Sequence, residues 1–393
     1  MEHKQPFVMY KIAHQLAVFN GYDVLYMNEN TEEIWLEKVE QKKSLVVRIS
    51  TIGFDWKNHL KKDIAIVFEK TKAMRHLLRG KDVEIHNVYI SPHTPIDDWE
   101  ILKKPMMIQE KKPILMKTYY LSGDELYSER DRLIETLDVT YDREVEILTD
   151  MQMEQDLTQF RTDLIASLQE KRKKSEKVFS FGKPLVTYFL IGINAILYLL
   201  LEFNGGSQTT ETLLQFGAKY NPAIMDGEWW RIFTSMFLHI GLIHFLSNML
   251  FLYYFGSLAE RIYGSTRFVI IYLLAGIGGG IASFAFVTNI SAGASGALYG
   301  MFGAFIYFGM FYRNMFYQTI GKNILVVLAL NIGLGFVIPQ LDMVAHLGGL
   351  VAGIIAAAIV HLPLKQKRFL LQGAAFILYC LLVIGFALWG IQI

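Results

Sequence analysis

The distribution of apolar positions divides the chain into two parts. Up to about residue 180, apolar residues form short runs between charged ones, whereas from residue 184 onward the apolar runs are long and nearly free of charge. Hydrophobic residues make up 52% of the 393 residues, which is high for a single soluble domain. The pattern predicts a soluble N-terminal domain followed by an α-helical polytopic membrane domain.

The N-terminal part has the pattern of a small mixed domain. Short β-prone runs bounded by polar turns predict strands at 23–28, 33–39, 44–50 and 83–91. Residues 55–80 carry apolar side chains at helical spacing and end on a glycine, which predicts a helix. We therefore predict a soluble α/β or α+β domain in residues 1–150 and a charged helical linker in residues 151–183.

The C-terminal part contains segments long enough to cross a bilayer. A spanning helix needs about 20 mostly apolar residues for a hydrocarbon core of about 30 Å. The apolar runs predict seven such helices, at about 185–203, 242–260, 267–287, 295–312, 323–338, 343–361 and 369–390. They are grouped as a six-helix core in residues 184–363 and a seventh helix in residues 364–393.

Lysine and arginine follow a consistent bias between the two sides of the membrane. One side receives Lys171, Arg172, Lys173, Lys174, Lys177, Arg261, Arg267, Arg313, Lys322, Lys365, Lys367 and Arg368. The other side receives only Lys219 and Arg231. Because basic loops stay in the cytosol, the N-terminal domain is predicted to be cytosolic and Ser295 to lie near the extracytoplasmic face.

Net charge and cysteine content exclude some classes of protein. The formal net charge of +1 argues against nucleic acid as a partner, since such proteins normally show a basic excess. A single cysteine, Cys380, excludes an intramolecular disulfide.

Several polar residues of the predicted spans lie at a similar depth. Ser295 begins the fourth span and His346 lies near the outer end of the sixth. His244 and Asn248 are four residues apart in the second span, as are Ser295 and Tyr299 in the fourth, so each pair shares one helix face. Polar groups within a membrane are costly and usually face the interior of the bundle.

These residue types fit nucleophilic catalysis. A serine hydroxyl needs an adjacent base to take its proton, and His346 can supply that function for Ser295. The resulting oxyanion needs hydrogen-bond donors, for which His244, Asn248 and the Ser295 N–H at a helix N-terminus are suitable.

Glycines at the predicted site favour close approach of the chains. Gly293 and Gly296 flank Ser295 and allow a tight turn there. Gly349 and Gly353 form a GxxxG motif in the sixth span, which lets helices approach closely and can bring His346 within reach of Ser295.

Each of these features has a purely structural interpretation when taken alone. The sequence GASG in a membrane helix is usually a packing seam of small residues, and a single membrane histidine often makes a buried hydrogen bond to backbone. The coincidence of serine, histidine, a His/Asn pair and two glycine motifs at one depth favours catalysis.

Other membrane enzymes and transporters fit less well. A zinc protease would carry HExxH, but His239 and His244 are five apart without an intervening glutamate. An aspartyl protease needs two aspartates in spans, and Asp342 alone lies near, at the outer interface, where a helix cap is the simpler role. No internal repeat indicates a transporter, and no metal or other cofactor is expected.

The motifs of the membrane part together resemble those of the rhomboid intramembrane serine proteases. The resemblance covers roughly residues 180–363 and rests on EWWR, HFLSN, GASG with the following tyrosine, and AHLGGLVAG. The segments are Glu228–Arg231, His244–Asn248, Gly293–Gly296 with Tyr299, and Ala345–Gly353.

The resemblance implies a role for each matching residue. It implies a catalytic dyad of Ser295 and His346, with an oxyanion hole formed by His244, Asn248 and the Ser295 N–H. It further implies that Tyr299 packs beside the His346 ring. The remaining supporting residues would be Gly293, Gly296, Gly349, Gly353, Trp230 and Arg231.

The resemblance also implies partners and a location. The chain is similar to a subgroup found in Gram-positive bacteria, with a soluble N-terminal domain and seven membrane helices in the bacterial cell membrane. Its substrates would be transmembrane proteins, cut in or next to their spans, with membrane lipids around the bundle. A cytosolic ligand, ion or partner of the N-terminal domain stays open. The alternative is a catalytically inactive rhomboid-like protein that binds membrane clients.

Overall fold

A computed structural model describes residues 4–28, 30, 32–108, 113–142, 149–338 and 341–392, without the side chains of His76, Asp124 and Phe336. Its contacts divide the chain into two compact units, Met1–Lys174 and Ser175–Ile393.

The first unit is a mixed sheet with helices on both faces. Its strands are β1 Asp23–Asn28, β2 Glu33–Glu40, β3 Lys43–Ser50, β4 Asp82–Ser91, β5 Met106–Ile108 and β6 Ile114–Ser122. Its helices are α1 Lys4–His14, α2 Lys57–Ala73, α3 Leu126–Leu137 and the first part of α4 Asp150–Phe179. The strand order is β1-β2-β3-β4-β6-β5, with β3, β4 and β6 parallel and the other pairs antiparallel.

The centre of this sheet is buried on both faces. Every residue of β4 after its first is buried, and two separate hydrophobic clusters cover the two faces. Central parallel strands are usually covered in this way and therefore read as continuous apolar runs. The four predicted strands coincide with β1 to β4, whereas β5, β6 and α3 were not predicted.

Helix α4 belongs partly to the core of the first unit. Leu164 is buried in the hydrophobic cluster that also contains α1, and Asp163 accepts a hydrogen bond of 3.0 Å from the His14 ring. The boundary between the two units falls inside α4. The domain limits expected at 150 and 183 stay a prediction.

The second unit is helical. After α4 it contains α5 Leu185–Phe203, α6 Thr210–Gln215, α7 Asn221–Met225, α8 Arg231–Thr234, α9 Leu242–Phe251, α10 Ser257–Tyr263, α11 Ser265–Phe286 and α12 Ser295–Phe311. It continues with α13 Arg313–Thr319, α14 Gly321–Val337, α15 Met343–Val360 and α16 Phe369–Gln392. A π-helical turn, Leu252–Gly256, joins α9 and α10 into one continuous segment.

Each predicted span corresponds to an apolar helix, although two differ in form from a simple span. Within the described residues, five segments are long and apolar enough to cross a membrane: α5, α9 with α10, α11, α15 and α16. Helices α13 and α14 meet at a bend of 72° and together give a sixth candidate, while α12 is a shorter apolar helix of 17 residues. The chain is therefore a polytopic α-helical membrane protein with a small α/β N-terminal domain.

The centre of the membrane unit is a tight group of three helices, α11, α12 and α15. Glycines form the contact between α12 and α15: a Cβ added at Gly349 would lie 2.0 Å from the Gly296 carbonyl oxygen. A Cβ added at Gly353 would lie 2.2 Å from the Gly300 carbonyl oxygen. No larger residue fits at these positions without separating the two backbones.

A buried carboxylate joins α10 to the beginnings of α5 and α11. Glu260 of α10 is 0% exposed and accepts hydrogen bonds from the backbone N–H groups of Val186 and Thr187 at the start of α5. The Thr187 and Ser265 hydroxyls also donate to it. Backbone N–H groups and hydroxyls thus satisfy the carboxylate, as a buried polar group requires, and no cation bonds it among the described residues.

We predict that Gly353→Ala destabilises the membrane unit because the new methyl group must push α12 away from α15. Overpacking of this kind typically costs about 1–3 kcal/mol. Thermal unfolding in detergent micelles measures the effect. The matched control is Gly373→Ala in α16, where an added Cβ meets nothing within 4 Å and should not lower the midpoint. Equal midpoints for Gly353→Ala and the unmodified protein would contradict this packing.

Candidate active site

The site is built around one short hydrogen bond between two helices. Ser295 is the first residue of α12 and His346 lies in the first turn of α15. The His346 Nε2 and Ser295 Oγ atoms are 2.8 Å apart, and His346 is 5% exposed. His346 Nδ1 is buried and has no hydrogen-bond partner among the described residues. The hydroxyl is the donor to Nε2 when the ring proton is on Nδ1, an arrangement in which the ring can accept the serine proton.

The beginning of α15 is fixed by a cap. The Asp342 carboxylate accepts a hydrogen bond of 2.8 Å from the Ala345 N–H, and the Asp342 carbonyl accepts one of 3.1 Å from the His346 N–H. The Ser283 hydroxyl of α11 donates to the same carboxylate. Asp342 is therefore the N-cap of α15, and it ties the first turn of this helix to α11.

One face of the His346 ring is covered by an aromatic side chain. The Tyr299 ring, one turn after Ser295 on α12, lies parallel to the His346 ring with 4.3 Å between centroids and 10° between planes. Stacking restricts rotation of the imidazole, so its Nε2 keeps pointing toward the serine.

His244 and Ser295 both lie close to the backbone of Gly293. Gly293 adopts a φ of +150°, and a Cβ at this position would lie 2.8 Å from His244 Cε1, 3.0 Å from His244 Nε2 and 3.6 Å from Ser295 Oγ. A side chain at Gly293 would therefore clash with the His244 ring, and glycine allows this ring to lie close to the backbone that precedes the serine.

The polar atoms of α9 include hydrogen-bond donors close to Ser295. His244 Nδ1 accepts a hydrogen bond of 3.4 Å from the Ile240 N–H, which leaves the proton on Nε2, next to Gly293. Asn248 Nδ2 donates to the His244 carbonyl at 2.8 Å and keeps a second N–H, while its Oδ1 is buried without a partner among the described residues.

The connector between α11 and α12, residues 287–294, is held by residues 204–241 between α5 and α9, which the predicted topology makes the first outer loop. The Gly293 N–H donates to the Ser235 carbonyl at 2.9 Å, and the Ala294 N–H lies 3.5 Å from His239 Nε2. Sequence reasoning weighed His239 only as a metal ligand. The His239 side chain is instead completely buried beside Phe245 and His244, so it packs within the unit and contacts the connector.

Trp230 and Arg231 make their described contacts within the first outer loop. The Arg231 guanidinium donates to the carbonyls of Leu214 and Ala218 and pairs with Glu228. Trp230 stacks under that guanidinium and packs against Gly217. Among the described contacts, neither of these two predicted residues touches the dyad. Both residues stabilise the loop that in turn contacts the connector.

A metal centre is not indicated in the part of the chain that the structure describes. No group of three or more His, Cys, Asp or Glu side chains there could hold a metal ion. The His239 and His244 rings meet edge to face at 5.5 Å, which is a packing geometry.

Comparison with known proteins gives consistent matches to one family. The family model described as "Rhomboid domain" matches residues 226–363. Rhomboid protease GluP of Bacillus subtilis is 38% identical over 389 residues, which cover 98% of this chain and 75% of the relative. Putative rhomboid protease YdcA of the same organism is 32% identical over 190 residues, 47% of this chain and 92% of that protein. RHOMBOID-like protein 4 of Arabidopsis thaliana is 37% identical over 147 residues, 35% of this chain and 36% of that protein.

Proposed function

The chain belongs to the rhomboid family and is an intramembrane serine protease, and on this basis we propose that Ser295 is its nucleophile and His346 its general base. The observation that carries the proposal is the 2.8 Å distance between His346 Nε2 and Ser295 Oγ. Similarity to named proteases does not favour the alternative of an inactive client-binding protein.

The proposed reaction is hydrolysis of a peptide bond through an acyl-enzyme. His346 takes the hydroxyl proton as Ser295 Oγ attacks the scissile carbonyl carbon, and it then donates that proton to the leaving amine. Water next attacks the ester, again with His346 as base, and proton return to Ser295 releases the acid. Stacking on Tyr299, rather than an acidic side chain bonded to Nδ1, would keep the ring oriented.

We propose that the oxyanion forms beside Ser295, within reach of donors from α9 and α12. His244 Nε2 lies next to Gly293 and Ser295, the Ser295 N–H is in the first turn of α12, where N–H groups lack partners within the helix, and Asn248 keeps one amide N–H. Donors fixed in a site of low dielectric constant stabilise the charge that develops in the transition state.

The substrate is proposed to be a transmembrane segment that enters between α9 and α14. Helix α14 is buried along one stripe only, including Ile324 and Leu328, whereas α11, α12 and α15 pack tightly together. The substrate helix must unwind locally, because its own hydrogen bonds shield the scissile amide. The family resemblance favours a small residue before the cut and helix-weakening residues nearby. Lipids would cover the exposed apolar side chains of the outer helices.

We propose that the N-terminal domain faces the cytosol and that the dyad lies near the extracytoplasmic face of a bacterial cell membrane. The support is the excess of lysine and arginine in the loops on the opposite side from Ser295. A cytosolic ligand or partner of the N-terminal domain stays a prediction.

We expect Ser295→Ala and His346→Ala each to lower kcat toward a model membrane substrate by several orders of magnitude, because the hydroxyl or its base is lost. Cleavage in proteoliposomes measures activity, and labelling by a fluorophosphonate measures the reactivity of the serine. Ser257→Ala, which removes a buried hydroxyl elsewhere in the second span, should cleave normally. Cleavage by Ser295→Ala at the rate of the unmodified protein would disprove the assignment.

Asn248→Ala should lower kcat by about 10²–10³-fold, which is the usual cost of one oxyanion donor, with little effect on KM. The control is Asn194→Ala, since Asn194 makes the same bond to the carbonyl one turn earlier but lies on α5. Both variants are compared in the proteoliposome assay after their unfolding midpoints are measured. Equal kcat values for the two would exclude Asn248 from the oxyanion hole.

The proposed topology predicts which loops react with an impermeant maleimide in intact cells. In a background with Cys380→Ala, Thr288→Cys in the connector should be labelled directly. Gln366→Cys between α15 and α16 and Asn58→Cys in α2 should be labelled only after permeabilisation. The reverse pattern would show that the orientation is wrong.

A further inference from the structure

A buried lysine of the first outer loop contacts the connector that leads to Ser295. Lys219 is 1% exposed, and its ammonium donates to the carbonyls of Val287 and, at 3.1 Å, of Asn289. Its backbone pairs with Ser291 in both directions, at 2.9 and 3.1 Å. One residue therefore holds three points of the connector.

The same lysine caps the end of α11. Val287 directly follows the last residue of this helix, where carbonyl groups lack partners within the helix. Asn221, two residues after Lys219, donates its Nδ2 to the carbonyls of Phe284 and Val287 at 3.0 and 3.2 Å. A cation is favourable at a helix C-terminus, so Lys219 also complements the helix dipole.

The last turn of α11 also contacts the helix that bears His346. Ser283 lies in that turn, and its hydroxyl donates to Asp342, the N-cap of α15. The nucleophile and the base are thus both attached to one element: the connector through Lys219, and α15 through Asp342.

From this arrangement we propose that Lys219 and Asp342 are positioning residues. Lys219 holds the connector that leads to Ser295 where it leaves α11, and Asp342 holds the first turn of α15, which bears His346, on the last turn of α11. The inference rests on the proposed dyad, and it adds the contacts that set the distance between Ser295 and His346. Neither side chain is assigned a contact with the substrate or the reacting atoms.

Burial of a lysine at this position has an electrostatic cost. Burial lowers the pKa of Lys219 to about 8, and the Asp342 carboxylate opposes that shift. The connector contributes no charged residue. On the loop itself, Arg231 bonds the carbonyl of the neighbouring Ala218 and is paired with Glu228. A buried cation held by carbonyls is thus retained although an uncharged side chain would avoid the desolvation cost.

The main test is Lys219→Met, which keeps the unbranched apolar part of the side chain and removes its donors. We expect kcat per active site, titrated with a fluorophosphonate, to fall on the order of 10- to 100-fold, because small misplacements of a nucleophile have effects of this size. KM should stay within about twofold, since a merely structural defect would reduce the number of titrated sites instead. Lys367→Met, at an exposed lysine, is the matched control.

A pH profile separates positioning from general stability. Above about pH 8 the Lys219 ammonium loses its proton and its bonds to the connector weaken, so kcat of the unmodified protein should decline as the pH rises. Lys219→Met should have a low kcat without this decline. An alkaline decline that persists in the variant would show that another group causes it.

The second arm is Asp342→Ala, compared with Asp342→Asn, which can still cap α15. We expect kcat to fall in the alanine variant and to recover at least partly in the asparagine variant. If Lys219→Met does not fold, this pair decides alone. The inference is overturned if Lys219→Met and Asp342→Ala both have the kinetics of the unmodified protein while Ser295→Ala is inactive. An active Ser295→Ala would overturn the proposed function itself.

Discussion

The close approach of α12 and α15 is the constraint on which the membrane unit depends. Gly296 and Gly300 on one helix face Gly349 and Gly353 on the other, so the two backbones touch where side chains would normally separate them. Ser295 precedes the first glycine of this seam. The seam holds α12 and α15 together beside the two side chains that form the 2.8 Å contact between His346 Nε2 and Ser295 Oγ. Packing of the two backbones therefore contributes to the geometry of the dyad.

Burial then determines what each polar group of the membrane unit can do. Glu260 and Asp342 have their carboxylate oxygens satisfied by backbone N–H groups and hydroxyls, which makes them structural anchors. His346 Nδ1 and Asn248 Oδ1 are buried without partners among the described residues. Both of these atoms belong to the proposed site, but Ser257 Oγ and Tyr272 OH are also buried without a described partner and lie elsewhere in the unit, so the lack of a partner does not by itself identify the site.

The extent of sequence-based prediction differs between local and non-local features. Strands β1 to β4 and the apolar helices follow from periodicity, and four motifs of the membrane part identify the family. Strand β6 and its parallel pairing with β4 were not predicted. The depth of Ser295 and His346 could be estimated from the spans, but their contact is a property of helix packing. Lys219 was read only as a loop charge, since lysine is seldom fully buried.

The distribution of packing in the membrane unit suggests why the dyad lies where it does. Catalysis needs donors and base fixed to within a fraction of an ångström, which the tight group of α11, α12 and α15 can provide. Entry of a substrate helix needs the opposite property, and α14, buried along one stripe, has it. Helix α11 is the element common to the fixed part: its glycines contact α15, and its last turn receives Lys219 and Asp342. In the proposed mechanism, the three tightly packed helices would hold the reacting atoms, and the less buried α14 would lie where the substrate helix enters.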